Sequence, residues 1–406
     1  MPMKVAGVNA DEGRRPNGRL SMSRARSAAS VLFLGLMTLP ALAARESGRV
    51  VRQEAPFPAI YDSAVVPGGA PARYEVLRGD FHMPTIHSDG SLLPADRVME
   101  AWQFGYDVIA ITDHGSIRAY EEALPTAKAL GILLFRGVET GLSGQEHLVA
   151  LDFSAGYELR NPHQWAETPG QGRVFYQDEL QRTAAAGAFV LYAHPHVGLR
   201  EPVLWGIHQG LVLGIEVKND VVGSEWNTVE SLGTYWYPFG FDCAVEHNLT
   251  IFANSDVHGA RAEVPQATTL ILAGDRSLEG VMEAFRAGRT LAYFNNMLCS
   301  HEWVLKLLMS SLVDVQLTEV DDGRAFLRLQ NHGPVELTAQ IAGMPLVPVT
   351  LGPYQKVLVA VRRIPDAVTI TWKNLYVRST KNLTTTHNLL ATSEQNQPPS
   401  PPSNDR

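Results

Sequence analysis

Five groups of histidine and acidic residues recur along the middle of the chain, and each group follows an apolar run. Imidazole and carboxylate side chains are costly to bury unless they are paired or bound to metal, so these groups are poor core material. One such group alone is more often a hydrogen-bonded pair than a metal site, but five of them, each at a predicted strand end, favour a shared metal site. The groups are residues 80–90, 112–114, 137–139 with His147, 193–196 and 254–258.

Seven apolar runs alternate with helical patterns through the same region. This alternation is typical of an α/β fold with a parallel sheet, and the metal-ligating residue types lie where α/β barrels build their sites, at the C-terminal ends of the strands. Pro125 either kinks or divides the second predicted helix. The predicted strands are 74–77, 107–112, 132–136, 147–153, 188–192, 212–217 and 250–253; the predicted helices are 93–105, 116–130, 177–186 and part of 225–247; a strand, a helix and a strand follow at 269–273, 278–287 and 290–294.

From Asp314 onward the sequence changes to short alternating runs separated by turn residues. This pattern predicts a small antiparallel β domain, which we assign to residues 299–376. It carries no cluster of catalytic residue types, so we expect a role in packing or at the edge of a substrate site. The predicted strands are 315–320, 325–330, 337–341, 356–361 and 368–372.

Three segments lack the periodicity of core elements. Residues 44–79 contain many Pro and Gly turn signals and are interpreted as a linker. Residues 154–175 form a predicted long loop, which is either a lid over the site or a flexible insertion. Residues 377–406 are predicted to be a disordered tail, because the end of the chain is rich in Pro, Ser, Asn and Gln.

The N-terminal region 1–43 has the features of a signal peptide. Arg24 and Arg26 precede an apolar run at 28–39, and an Ala-Leu-Ala sequence then supplies a cleavage pattern. The run is too short to cross a bilayer as a helix. We therefore predict export to the periplasm, with no stable membrane span after cleavage and Met22 as an alternative start. An N-terminal membrane anchor is the competing interpretation.

Composition and charge exclude some classes of protein. The chain has 406 residues, of which 45% are hydrophobic and 19% charged, which is ordinary for a globular protein of two or three domains. Its net charge of −8 argues against nucleic acid as a partner, since a nucleic-acid-binding face is basic. A small anionic substrate is compatible with this net charge, because bound metal ions can reverse the charge locally. The two cysteines, Cys243 and Cys299, either pair or are separate buried thiols.

Taken together, the five groups resemble the PHP superfamily, named for polymerase and histidinol phosphatase. That family opens with Asp-Leu-His-x-His-Thr and Ser-Asp-Gly and continues with Thr-Asp-His, Gly-x-Glu, Ala-His-Pro and Ser-Asp-x-His. The same marks occur here in the same order, between Asp80 and Asn296. One position departs from the pattern, because Pro84 stands where the family has its second histidine. The resemblance implies a distorted seven-stranded (β/α) barrel over residues 80–298.

The resemblance also implies two to three bound divalent ions, with Mn²⁺, Zn²⁺ or Fe²⁺ as the metals that imidazole and carboxylate ligands suit. In the family's arrangement Glu139 bridges two ions. The implied ligand sets are His82, Glu139 and Asp256 for one ion; Glu139, His147 and His194 for a second; and Asp89, His114 and His258 for a third.

Three further residues are candidates for contact with substrate. Arg136 and His196 are candidates for contact with a phosphate, and surface or packing roles are the alternative. His87 has three competing roles: a replacement ligand for the missing histidine at Pro84, a proton donor to the leaving group, or a solvent-facing side chain.

The residues and the resemblance together predict an exported, metal-dependent phosphoesterase. It would hydrolyse a small-molecule phosphodiester or phosphomonoester by metal-hydroxide attack, without a covalent intermediate. The sequence contains no nucleophile elbow, Walker A loop or dinucleotide fingerprint that would point to other chemistry. Hydrolysis of a non-phosphate substrate is the nearer alternative. A catalytically silent PHP-like domain, used for metal binding or interaction, is the alternative from another class.

Overall fold

The structure, a computed structural model, describes most of the chain after residue 50. The predicted signal peptide, most of the predicted loop 154–175 and the chain after residue 389 lie outside the described residues. The described residues are 51–65, 71–141, 146–155, 157, 176–222, 228–229, 234–261, 267–320, 324–344, 347–361 and 366–389.

Strands and helices alternate as the sequence predicts, and most of the predicted elements are present with small shifts at their ends. The strands are β1 (Ile60–Val65), β2 (Pro71–Asp80), β3 (Val108–Ile111), β4 (Leu133–Gly141), β5 (His147–Leu151), β6 (Phe189–Ala193), β7 (Gly214–Asn219), β8 (Thr228–Val229), β9 (Thr234–Tyr235), β10 (Thr250–Asn254), β11 (Thr268–Ala273), β12 (Thr290–Phe294), β13 (Met297–Cys299), β14 (Val313–Val320), β15 (Arg324–Asn331), β16 (Leu337–Ile341), β17 (Val349–Leu351), β18 (Lys356–Val361), β19 (Ala367–Arg378) and β20 (Lys381–Asn388). The helices are α1 (Pro94–Gln103), α2 (Arg118–Leu130), α3 (Tyr176–Ala185), α4 (Glu201–His208), α5 (Pro238–Glu246), α6 (Leu278–Arg286) and α7 (Glu302–Leu312).

The seven predicted strands form one half of a large mixed sheet, in the order β10-β7-β6-β5-β4-β3-β2. Strands β2, β3 and β4 are parallel, as are β6, β7 and β10, but β5 is antiparallel to both of its neighbours. The prediction of a parallel sheet is therefore wrong at β5. Residues 142–146, which join β4 to β5, are too few for the crossover that parallel neighbours need.

The two ends of this seven-strand run, β2 and β10, share no strand ladder in the described part of the chain. They meet instead through bonds just past their C-terminal ends. The Phe81 amide donates to Asn254 Oδ1 (3.0 Å), and the Ser255 amide donates to Asp80 Oδ1 (3.1 Å). The Asp256 amide also donates to the His82 carbonyl (2.8 Å). These bonds bring the first and last sequence groups together.

A cluster of phenylalanines fills the interior below the strand ends. Phe81, Phe189, Phe252 and Phe285 have no exposed surface, and the rings of Phe81 and Phe285 lie 4.9 Å apart, edge to face. Burying each ring stabilises the fold by about 1.5–3 kcal/mol, and the edge-to-face contacts add to this. Phe81 directly precedes His82, so the same packing fixes the start of the first histidine motif.

Two helices show how local sequence and tertiary packing combine. Helix α1 begins at Pro94, whose fixed φ and missing amide hydrogen suit a first helical turn. Helix α2 continues through Pro125 as one helix, so this proline does not divide it. It ends at Gly131, which has a φ of 68°, a left-handed conformation that glycine adopts without a steric penalty.

Helix α4 was not predicted from the sequence.

The interpretation of residues 44–79 as a linker is wrong over its last part. Strands β1 and β2 pair as an antiparallel hairpin, with Ile60 opposite Tyr74. Ile60 is fully buried in the core that α7 also enters. No helix among the described residues is long and apolar enough to cross a membrane.

The five strands predicted after Asp314 are all present, but they are not a separate sheet. Strands β14, β15 and β18 form their own three-stranded sheet, whereas β19 pairs in parallel with β13 and so joins the large sheet. The prediction of a disordered tail from residue 377 is wrong as far as Asn388, because β19 and β20 form a long hairpin there. Cys243 and Cys299 are separate buried thiols, which answers that open alternative.

Candidate metal centre

The carboxylate of Glu139, at the end of β4, lies at the centre of four histidines. It is 2% exposed, and both of its oxygens have two imidazole neighbours. The histidines come from the ends of β2 and β6, the start of β5 and the segment after β3, so four sequence groups converge on one side chain. The contacts are His82 Nε2 to Oε2 (3.0 Å), His114 Nδ1 to Oε2 (3.3 Å), His147 Nδ1 to Oε1 (2.8 Å) and His194 Nε2 to Oε1 (3.0 Å).

Two further carboxylates extend this cluster in opposite directions. Asp256 Oδ1 lies 3.4 Å from His82 Nε2, deep in the protein. Asp89 Oδ2 lies 3.4 Å from His114 Nε2 and 3.1 Å from His258 Nε2, near the surface. All eight predicted metal ligands are therefore connected through side-chain contacts.

Among the residues that the structure describes, two groups of three side chains have ligand atoms close enough together to share one ion. The first is His82, Glu139 and His194, which are all buried, and the second is His114, Glu139 and His147. Glu139 belongs to both groups, as a bridging carboxylate would. The grouping differs from the sets that the resemblance implies, and the assignment of ligands to individual ions stays a prediction.

His82 offers the clearest test of whether a cation fits. Its Nδ1 lies 2.9 Å from Glu216 Oε1, and a carboxylate at that distance holds the proton on Nδ1. Nε2 then presents a lone pair to Glu139 Oε2 and Asp256 Oδ1, and this buried nitrogen makes no hydrogen bond. A divalent cation satisfies all three atoms at once, so the residues present fit a metal ion.

The pKa shifts reflect the crowding of charge in this buried space. Burial raises the pKa of Glu139, but the charge of His82 and hydrogen bonds from His147 and His194 outweigh it and hold the pKa well below its ordinary value. Burial also raises the pKa of Asp256, and the neighbouring Glu139 carboxylate raises it further, so the net shift is upward despite His82. Two carboxylates that affect each other in this way favour a cation between them.

Two of the predicted ligands have strained backbones. His194 has a φ of 22° and Asp256 a φ of 53°, in the region that residues other than glycine rarely adopt. Such conformations cost about 1–3 kcal/mol each and cluster at functional sites. His194 directly follows β6 and Asp256 lies two residues beyond the end of β10, and the side chains of both residues contact the cluster.

Glu216 is a site residue that the sequence analysis missed. It lies in the middle of β7, every residue of which is buried, and it has no exposed surface. Its oxygens contact His82 Nδ1 and the amide nitrogen of His194 (2.6 Å). Asn219, also missed, donates to Asp256 Oδ2 (3.2 Å). The available signal was an acidic residue inside an apolar strand, which is costly unless it is paired.

Arg136 makes its contacts outside the cluster, and its contact with substrate stays a prediction. Its guanidinium covers the Tyr120 ring at 4.8 Å and donates to the Phe153 carbonyl (3.3 Å). Residues 136 and 139 of one strand point to opposite faces, so a side chain at 136 cannot join Glu139.

His87 also points elsewhere. Its Nε2 lies 3.0 Å from Glu122 of α2, which does not support the idea that it replaces the histidine missing at Pro84. A role as proton donor stays a prediction. His196 lies beside the cluster, with its ring 5.4 Å from that of His194 and its Nδ1 2.8 Å from the His194 carbonyl. Its contact with substrate likewise stays a prediction.

The fold and this cluster define an α/β protein with a histidine- and carboxylate-rich candidate metal centre. Residues 80–199 match the family model of the PHP domain, in agreement with the resemblance that the motifs indicate.

The solved structures include one that is similar over most of the chain. It is a two-domain protein of Bacteroides vulgatus, containing a predicted PHP-like metal-dependent phosphoesterase. The similarity has a TM-score of 0.67 at 23% identity, and it covers 83% of this chain and 99% of that one. At this identity the similarity shows a shared fold and nothing finer.

Two curated relatives match over short segments. A 5′-3′ exoribonuclease of Haemophilus influenzae is 40% identical over 77 residues, which are 18% of this chain and 28% of that protein. An uncharacterized protein of Methanocaldococcus jannaschii is 44% identical over 48 residues, 12% of this chain and 22% of that protein. The matched segments thus span about a quarter of the length of these relatives.

Proposed function

We propose that the chain is a metal-dependent phosphoesterase that acts on a small-molecule phosphomonoester or phosphodiester. The observation that carries the proposal is the position of Glu139, a buried carboxylate within 3.3 Å of four imidazoles. Divalent ions bound there would acidify water and neutralise the charge of a phosphate, which are the two requirements of phosphoester hydrolysis.

The chain's own residues would divide the work between binding and access. Glu139 and His82 hold their ligand atoms in a water-excluded space, where the geometry is set before substrate arrives. His114, His147 and His258 are 22%, 21% and 35% exposed at their side chains, so the cluster opens to solvent on their side. His196, beside the cluster, is the remaining candidate for contact with a phosphate oxygen.

The proposal includes the architecture and the compartment. Side-chain bonds between the ends of β2 and β10 support a distorted barrel of PHP type, in which the seven strands act as one ring. The N-terminal sequence supports export to the periplasm. The strands from β14 onward support a C-terminal β domain that packs beside the barrel.

The test is metal analysis combined with a substrate panel. The purified protein is expected to hold at least two divalent ions per chain and to hydrolyse a chromogenic monoester or diester. A short oligoribonucleotide belongs in the panel because one relative is an exoribonuclease. Bound metal without hydrolysis of any phosphoester would overturn the proposal in favour of a silent metal-binding domain.

A matched pair of variants makes this test specific. Glu139→Gln should abolish hydrolysis and reduce bound metal by more than one ion, because one carboxylate serves both groups. Glu146→Gln changes an equally buried carboxyl, 1% exposed, next to the predicted ligand His147. Glu146 lies 3.6 Å from Arg200, and we expect its variant to keep metal and activity.

A further inference from the structure

The carboxylate of Glu216 uses its full capacity to accept hydrogen bonds. Four nitrogens surround its two oxygens, two to each oxygen, and a carboxylate offers about four lone-pair sites. Since each site faces a donor, none is left for a metal ion. The contacts are His82 Nδ1 (2.9 Å) and Asn254 Nδ2 (2.8 Å) at Oε1, and the His194 amide (2.6 Å) and Asn219 Nδ2 (3.3 Å) at Oε2.

Through these contacts Glu216 is connected, directly or through Asn219, to three of the predicted metal ligands, which follow three different strands. Glu216 accepts from the ring of His82 after β2 and from the backbone of His194 after β6. Through Asn219 it is connected to Asp256 after β10, because Asn219 Nδ2 also donates to Asp256 Oδ2 (3.2 Å). The side chain of Glu216 on β7 therefore connects the three buried residues of the cluster, His82, His194 and Asp256.

The bond to His82 has a specific chemical consequence. With Nδ1 donating its proton to Glu216, only Nε2 is left to bind a metal, and Nε2 is the nitrogen that faces Glu139 and Asp256. A carboxylate behind an imidazole ligand also increases the basicity of the ring. The bond to the His194 amide holds a backbone that is otherwise strained, at a φ of 22°.

We propose that Glu216 is a positioning residue that fixes His82, His194 and Asp256 for tight binding of one metal ion at the buried end of the cluster. The inference rests on the proposed metal site and adds an order of filling to it. The ion at the buried end binds first and leaves last, whereas ions at the exposed end exchange more readily.

Glutamine is the sharpest substitution because it preserves the size of the side chain while it removes the negative charge and one of the two acceptor oxygens. One oxygen of Glu216 becomes an amide nitrogen, which then faces two donors whichever way the amide turns. Either His82 loses its acceptor or the His194 amide does. We expect Glu216→Gln to weaken binding of the tightest ion by about 10–100-fold, the effect usual for partners of metal ligands.

The experiment is a competition titration of the metal-free full chain with Zn²⁺ against a chromogenic chelator, and a visible spectrum of the Co²⁺-loaded protein. Wild type should show one tight step followed by weaker ones. Glu216→Gln should lose the tight step, keep the weaker ones and show an altered Co²⁺ spectrum. Glu146→Gln is the control for loss of a buried carboxylate, and it should titrate like wild type.

A second variant covers the case in which Glu216→Gln does not fold, which thermal unfolding in chelator would reveal. Glu216→Asp keeps the charge but retracts the carboxylate, so it should bind the tight ion with intermediate affinity. An unchanged tight step in either folded variant would overturn the inference, as would an equal loss in Glu146→Gln.

The outcomes separate this inference from the proposed function. If wild type binds metal and hydrolyses no phosphoester, the function is wrong, and the titrations still decide the role of Glu216. If wild type hydrolyses a phosphoester and Glu216→Gln binds the tight ion equally well, the role of Glu216 alone is wrong. A wild type that binds no divalent ion overturns both.

Discussion

The two ends of the metal centre differ in what surrounds them. At the buried end, His82, His194 and Asp256 are at most 3% exposed. At the open end, the side chains of Asp89 and His258 are 46% and 35% exposed. Glu139 belongs to both ends. From this difference we infer that the buried end keeps its charged side chains in fixed positions, whereas the open end is accessible to water and substrate.

The local sequence explains part of this difference. His194 directly follows β6 and Asp256 lies two residues beyond β10, and every residue of both strands is buried, so these backbones are held on several sides. Asp89 instead lies in the segment after Pro84, which doubles back so that the Ser91 amide donates to the His258 carbonyl (2.7 Å). Loops near the surface open more easily than packed strands, so we expect the open end to exchange its ligands more readily.

Removal of Glu139 should break both ends at once and have the largest effect. We expect Glu139→Gln to lower kcat/KM by roughly 10²–10³-fold or more, comparable to the loss of a major electrostatic contact in an enzyme site. Steady-state kinetics with metal analysis provide the check. Wild-type turnover with full metal content would contradict a bridging role.

Asp256→Asn should affect the buried end alone. The substitution keeps the shape of the side chain and removes its charge, so the tightest ion should be lost and kcat should fall. The apo protein should become no less stable, since crowding with Glu139 is relieved. Metal titration and chelator-treated thermal unfolding measure the two effects. A tight ion retained in this variant would show that Asp256 is not a ligand.

Asp89→Asn should affect the open end alone, with a smaller loss. Because Asp89 is half exposed, water can replace it as a ligand, and we expect metal content at the buried end to stay intact. The prediction is a rise in KM or a loss of the weakest ion, measured by kinetics at several metal concentrations. Loss of the tightest ion in Asp89→Asn would contradict the expectation that the buried end binds its ion independently of the open end.

The response to pH should sharpen the comparison. Burial lowers the pKa of His82 and His194, but Asp256 and Glu139 outweigh burial at His82, and Glu139 does so at His194, so both values are raised. In the apo protein, the resulting stabilisation is complete below the unfolded pKa of about 6.5 and is lost as pH rises through the folded values. Metal binding requires neutral imidazoles, so metal-induced stabilisation should grow with pH.

The measurement is the difference in Tm with and without Zn²⁺ between pH 6 and pH 8.5. Each tenfold gain in affinity adds about 1.4 kcal/mol of stabilisation at saturating metal. A difference in Tm that shrinks as pH rises would contradict the assignment of His82 and His194 as ligands.

Pro84→His should have the smallest effect. Position 84 is two residues beyond His82, so in extended chain the two side chains point the same way. The new imidazole should add affinity for a further ion, with little change in turnover. Pro84→Ala is the control for the loss of the proline ring. Equal metal content in both variants would show that the cluster needs no second histidine there.

Sequence motifs indicated the eight predicted ligands because each group of them lies at or near the end of a strand whose apolar run is easy to recognise. They did not predict Glu216, because a single acidic residue within a strand has no spacing partner in the sequence. Arg136 was predicted as a substrate contact, and its odd spacing from Glu139 places the two side chains on opposite faces of β4. The direction of β5 followed from the short connection at 142–146, which the pattern of apolar runs did not take into account.

The parallel pairing of β13 with β19 makes the C-terminal strands a cover for an otherwise open sheet edge. Leu298 and Cys299 pair with Leu375 and Tyr376, and Trp372 on β19 is fully buried. A chain ending after β13 would expose a row of unpaired backbone groups beside a large apolar surface, which is a template for edge-to-edge aggregation. We therefore expect residues 80–298 alone to be less soluble than the full chain, although the strands that cover this edge carry none of the predicted metal ligands.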